Sequence, residues 1–164
     1  MAVAVAATNV GDETTAAYRN TLKAAIDDLY SRLNTAGDVV ELEPGGNLDS
    51  GSSGTFTSWI PVGSLTVPSW AHGARYLVTV AGVVLATAAK AGFVRIAIGG
   101  QAGRDHAVDL DSTTIREDVS WQGRVSGLTP GTAAVTVEFS SATGTGVFRV
   151  DTNSHIAVSV VWEP

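Results

Sequence analysis

Three histidines, His72, His106 and His155, are the residues of this chain best suited to acid–base or metal chemistry. They lie far apart, and no two have the spacing that sets imidazoles on one helix face or across one hairpin. Asp105-His106, with Asp109 close by, offers a carboxylate-oriented base. Nothing around it has the strand–turn–helix context of a nucleophile elbow. Ser52-Ser53 falls in a Gly/Ser-rich stretch, which is a poor support for a rigid nucleophile. Asp109, Asp111, Glu117 and Asp118 form the densest acidic segment, and Asp151 with Asn153 a second oxygen cluster. Both lack the ligand order and the glycine of an EF-hand, and read as solvated turns. Gly99-Gly100-Gln101-Ala102-Gly103 follows a strand but opens no helix, so it reads as a hairpin turn rather than a phosphate cradle. No catalytic residue, cofactor or metal is expected, and the chain reads as a non-enzyme.

Four tryptophans, Trp59, Trp70, Trp121 and Trp162, offer a different chemistry. Indole rings on a sheet surface stack on sugars, and the same rings serve in a core or a subunit interface. The sequence alone leaves both uses open.

A further set of spaced residues is apolar. Leu22, Ile26, Leu29 and Leu33 are separated by 4, 3 and 4 residues, the a/d rhythm of a coiled coil, with Leu22 and Leu29 at d. Tyr18 flanks this seam at g, and Arg19 and Thr15 continue it backward, so the apolar part covers about two heptads. The stripe suits either a short parallel bundle of copies of this chain, most simply a trimer, or a helix packed on its own domain. Its helix is expected over residues 13–37: Asp12 caps it, Glu13 adds charge to the first turn, and Asn34 and Gly37 stop it. Asp28 and Arg32 at i and i+4, and Lys23 and Asp27 in the reverse order, support it.

Composition narrows the function classes. The 164 residues carry a net charge of −6, and the ten Lys and Arg are scattered, which argues against a nucleic-acid surface. No cysteine is present, so disulfides and thiolate metal sites are out. No apolar run reaches the ~20 residues that span a bilayer, and no membrane partner is expected. Ala2-Val3-Ala4-Val5-Ala6-Ala7 is short for a signal core and reads as an extended arm over 1–12, or as a frayed terminus. Only 16% of residues are charged, which suggests that a partner covers part of the exterior.

Residues 38–55 are Gly/Ser-rich from Glu43 to Thr55 and read as a flexible linker, with Val39, Val40 and Leu42 able to form a short strand before it. From 56 to 164 the pattern is β. Val94, Ile96 and Ile98 alternate with Phe93, Arg95 and Ala97, and Ile156, Val158 and Val160 share a face. Pro61 and Pro68 confine Val62–Val67 to an edge, and Gly82 marks a bend or bulge in Arg75–Leu85. About eight strands with turn residues between them predict a mainly β fold, an antiparallel β-sandwich of jelly-roll type behind one N-terminal amphipathic helix.

Two parts of the β region resemble a known family. They are Leu65–Ala71 running into Ala74–Val80, and Ser126–Gly131 with Val135–Val137 and the final Asp151–Val161 strand. Together they are similar to the β-sandwich modules of virion proteins from actinobacterial tailed phages, found in minor tail proteins, fibres and small capsid-surface proteins. The resemblance covers roughly residues 56–164, carries no catalytic motif and excludes the helix. It implies a virion structural protein, trimeric, soluble in the host cytoplasm before assembly. So short a chain is expected on the capsid, as a decoration or head-fibre protein bound to the major capsid protein or other virion proteins. A short tail-fibre or minor tail module binding host surface glycans is the alternative, and a carbohydrate-binding module a third reading.

Overall fold

The structure, a computed structural model, describes residues 16–34, 36–49, 57–85, 91–110, 116–141 and 147–164. The chain divides into two compact units, Met1–Ala36 and Gly37–Pro164. The first holds one helix, α1 (Ala16–Asn34). Within it Lys23 pairs with Asp27, and Asp28 with Arg32 at 3.0 Å, one turn apart as the sequence predicts. The expected cap at Asp12, Glu13 and the arm over 1–12 lie outside the described residues. Gly37 does not end the helix: it opens the first strand, and its φ is not left-handed.

The second unit contains β1 (Gly37–Leu42), β2 (Leu48–Asp49), β3 (Thr57–Val67), β4 (Gly73–Leu85), β5 (Ala91–Ile98) and β6 (Gln101–Ala102). It continues with β7 (His106–Asp109), β8 (Glu117–Ser126), β9 (Gly131–Ser141), β10 (Phe148–Val150) and β11 (His155–Glu163). All described pairings are antiparallel. One sheet runs β1-β11-β4-β8, with β10 and β2 continuing beyond β4, and the other runs β3-β9-β5-β7, with β6 beside β5. Without the three short strands β2, β6 and β10, the remaining eight take the order 1-8-3-6 facing 2-7-4-5. That is the strand order of a jelly roll, two interlocked Greek keys.

Alternation sets the core. Val78 and Val80 of β4, Val158 of β11, Val94 and Ile96 of β5 and Val137 of β9 are all fully buried between the sheets. Each buried aliphatic side chain of this kind contributes about 1.5–3 kcal/mol. Trp121, Phe139 and Phe148 link the layers: Trp121 meets Phe139 edge-on at 6.4 Å, and Phe139 lies 5.6 Å from Phe148. Gly99-Gly100, both at positive φ, make the tight turn between β5 and β6 that their sequence predicts. Pro61 sits in edge strand β3 among its two register shifts, so Thr57–Val67 is one bulged strand rather than two.

The linker over 38–55 needs correction. Its first part is β1, the opening strand of the jelly roll, paired along its full length with β11 from Gly37↔Val161 to Leu42↔Ile156. Leu48 and Asp49 then pair with β10, and Asp49 receives two hydrogen bonds from Arg149 at 2.6 and 2.7 Å. Residues 50–56 lie outside the described residues.

The bulge expected at Gly82 is present, between Val80 and Val83 in the pairing with β8, with φ +77°. Before it β4 pairs with β11, and beyond it with β10. Polar groups clamp this point. The Gly82 amide donates to Asp118 at 3.0 Å, and its carbonyl accepts from Ser154 Oγ at 2.9 Å and Arg116 at 3.1 Å. Arg116 also forks onto both Asp151 oxygens at 2.9 and 2.6 Å. Asp118, on strand β8, and Asp151 are therefore parts of this clamp rather than free turn acids, whereas Asn153 is an exposed turn residue whose amide donates to Asp151 at 2.9 Å.

The Arg116 guanidinium and then the Asn153 amide hold the Asp151 carboxyl at about 2, below its ordinary 3.8. A depressed folded-state value means that the stabilisation is complete above the unfolded value and is lost as pH falls toward about 2. Asp151→Asn is accordingly expected to flatten part of the acid limb of stability, read from urea midpoints on either side of that window. An acid limb identical to wild type would show that the pair contributes nothing.

Candidate functional site

The apolar stripe of α1 is exposed: Leu22 and Ile26 at 43%, Leu29 at 60% and Leu33 at 72%. Tyr30, not singled out in the sequence, is 65% exposed and follows Leu29 at e, so it widens the apolar face. Its aromatic ring beside a d position was the available signal. Tyr18 belongs to α1, but its side chain lies outside the described residues.

The tryptophans separate. Trp121 and Trp162 are each 5% exposed and belong to the sandwich core, which removes them from glycan stacking and from any subunit contact. The reason is register: Trp121 lies opposite Val78 and Trp162 opposite Ala74, both inward positions. Trp70 is half-buried against the core, and the Trp59 side chain lies outside the described residues.

The residues with acid–base potential do not assemble. His72 lies between β3 and β4, His106 on β7 and His155 at the start of β11. His155 approaches Glu41 at 3.8 Å. Asp105 faces Arg95 at 3.9 Å rather than His106, whose Nε2 is enclosed without a hydrogen-bond partner. Asp109 lies on β7 and Glu117 and Asp118 on β8, in different sheets, and Asp111 is outside the described residues. Among the described residues no group of three His, Cys, Asp or Glu side chains is placed to hold a metal. No described helix is long and apolar enough to cross a membrane.

A polar cluster that the sequence does not reveal lies at one end of the larger sheet. Arg75 and Arg124 face each other directly across β4 and β8, an arrangement of like charges that is unfavourable when unbridged. Glu163 of β11 bridges them. Its Oε1 accepts from Arg75 Nε at 2.6 Å, and its Oε2 from Arg124 Nε and Nη2 at 2.8 and 2.6 Å. Arg124, first, and Arg75 hold the Glu163 carboxyl below its ordinary range. An open cleft of about 520 Å³ adjoins it, lined by His72, Arg124, Ser126 and Glu163 among others. A second, of about 430 Å³, lies between Arg75, Gln122 and Arg124. The three charged residues are remote in sequence, and only strand register brings them together.

No family model matches the chain, and no curated protein matches it. Solved structures similar to it include the tripod from the baseplate of bacteriophage Tuc2009, at 11% identity over 99% of this chain and 76% of that one, TM-score 0.45. Another is the CBM36-1 domain of a multidomain xylanase from the hindgut metagenome of Trinervitermes trinervoides, at 9% identity over 78% of this chain and 98% of that one, TM-score 0.44. The PRD1 vertex protein P5 is similar at 13% identity over 78% and 96%, TM-score 0.43. Phage structural proteins and a carbohydrate-binding module thus both stand among its structural neighbours. The chain itself is an antiparallel jelly-roll sandwich, an assignment that rests on its own strand order.

Core placement of Trp121 has a measurable consequence. Trp121→Ala is expected to cost about 3–5 kcal/mol in urea unfolding, and half-buried Trp70→Ala less. Equal costs for the two would contradict the placement.

Proposed function

We propose that this chain is a non-enzymatic structural protein of a phage particle, a homotrimer that sits on the capsid surface, contacts the major capsid protein and stabilises the shell. One observation carries the assembly part: the exposed 4-3-4 stripe on a helix that belongs to a unit of its own. Four large aliphatic side chains on one face, with Tyr30 beside them, leave apolar surface in water that a second copy of the same helix would cover. The lateral ion pairs Lys23–Asp27 and Asp28–Arg32 favour the helical state that presents the stripe. The stripe supports association; the number three and the virion setting rest on the resemblance of residues 56–164. A non-enzymatic role agrees with the scatter of the histidines over separate elements and with carboxylates bound into the Gly82 clamp.

A tail-fibre module that binds host glycans is the second reading. The polar clefts beside Arg124 favour it, whereas burial of Trp121 and Trp162 takes away two of the rings it would use.

Sedimentation equilibrium tests the assembly. The expected mass is three chains, falling to one in the double variant Leu22→Asp, Leu29→Asp with the β-sheet circular dichroism unchanged. A wild-type chain that sediments alone at all concentrations would end the proposal. Co-sedimentation with empty capsids, lost in the same variant, is expected for the decoration role.

A further inference from the structure

We infer that the Arg75–Glu163–Arg124 cluster, with the two clefts that its residues line, is a binding site for the carboxylate of an acidic sugar, a uronic-acid residue of a glycan. The inference does not rest on the assembly proposed for the helix, since every residue in it belongs to the sandwich.

The cluster carries an excess of positive charge. Two guanidiniums share one carboxylate, which leaves one positive charge uncompensated in a chain whose net charge is −6. Among the described residues neither cleft is lined by another acidic side chain, and Pro164, the last residue of the sequence, borders the first. Arg75 and Arg124 are 69% and 68% exposed, while Glu163 beneath them is only 17% exposed, so the cations face outward and their anchor does not.

Donor geometry supports the same site. Glu163 engages Arg75 through Nε alone and Arg124 through Nε and Nη2. Both Nη groups of Arg75 and Nη1 of Arg124 are left as donors without a protein acceptor among the described residues. Guanidinium forks of this kind suit a planar carboxylate. Because both arginines lie on the two oxygens of one Glu163 carboxyl, a ligand carboxylate reaching one fork lies in the field of the other.

Surroundings decide between a sugar acid and a bare acidic side chain. Arg124 lines both clefts, of about 520 and 430 Å³, and each has polar residues besides the arginines: His72 and Ser126 in the first, Gln122 in the second. An aspartate or glutamate from a protein would use only the guanidiniums. A pyranose carboxylate presents ring hydroxyls to these further donors and acceptors, and clefts of this volume accommodate one ring.

The test uses the full-length chain and follows its arginine Nε–Hε signals by NMR during titration with glucuronate, acetate and methyl β-glucoside. Glucuronate is expected to shift Arg75 and Arg124 saturably at about millimolar concentration. Acetate should shift them severalfold more weakly, and the uncharged glucoside not at all. Arg124→Lys, which keeps the charge but removes the fork, is expected to weaken glucuronate severalfold. Glu163→Gln, which removes the competing carboxylate charge, is expected to tighten it, with the remaining amide spectrum showing an intact fold. Failure of glucuronate to saturate would overturn the inference. So would acetate binding as well as glucuronate, which would make the site a receptor for any carboxylate. A Glu163→Gln variant that keeps its fold but binds glucuronate no more tightly would mark the cluster as a staple for the sheet end and overturn it too.

Discussion

The sandwich depends on what happens to β4 at Gly82. This strand runs for thirteen residues in the middle of the larger sheet and pairs with β11, β8 and β10. A strand of that length cannot stay straight while its neighbours belong to a twisted sheet. The bulge turns it, and β10 and β11 lie along the same flank of β4, separated by the Asp151–Ser154 turn opposite the bulge. Two features favour glycine there. Its φ is left-handed, and a Cβ would stand 3.1 Å from the Asn153 carbonyl oxygen. The clamp from Arg116, Asp118, Asp151 and Ser154 leaves neither the Gly82 amide nor its carbonyl without a partner. An unpaired peptide group buried there would cost about 1–3 kcal/mol.

What could be read from sequence was whatever local pattern specifies. The alternation of Val94, Ile96 and Ile98, and of Ile156, Val158 and Val160, places those residues inward as observed, and Gly82 and Gly99-Gly100 do what their types imply. The jelly-roll class follows from the number and spacing of such segments. Non-local features were not legible. Val39, Val40 and Leu42 read as a short strand ahead of a linker, but their place as the first strand of the sandwich was hidden, because β11, from the far end of the chain, supplies the ladder. Likewise Asp118 and Asp151 resemble solvated turn acids until the bulge they serve is known. The cluster of Arg75, Arg124 and Glu163 exists only through the registers of β4 with β8 and β11. Conversely, tryptophans at inward registers look like surface candidates when only their type is considered.

The two units differ in where their large apolar side chains lie. In the sandwich the large apolar side chains are mostly buried and the carboxylates of the clamp are spoken for, which suits a rigid carrier. Leu77, Val39 and Val161 are exceptions on the outer face of the larger sheet, where they are exposed. The helix is the reverse: nineteen residues long, with the large side chains of its stripe exposed and the ion pairs Lys23–Asp27 and Asp28–Arg32 along its surface. Helix nucleation is costly, and in proteins most helical stability comes from packing an amphipathic face rather than from propensity. A stripe that lacks a partner therefore weakens the helix that carries it, and under the proposed assembly association and helix formation would be one equilibrium.

That coupling is the central claim, and the concentration dependence of helicity measures it most directly. Far-ultraviolet circular dichroism of the full-length chain, followed from low to high micromolar concentration, should show the helical component growing with concentration while the sheet component stays constant, as mass action requires. A helical signal that is full and unchanged at the greatest dilution would contradict the account, because the helix would then be stable without partner copies.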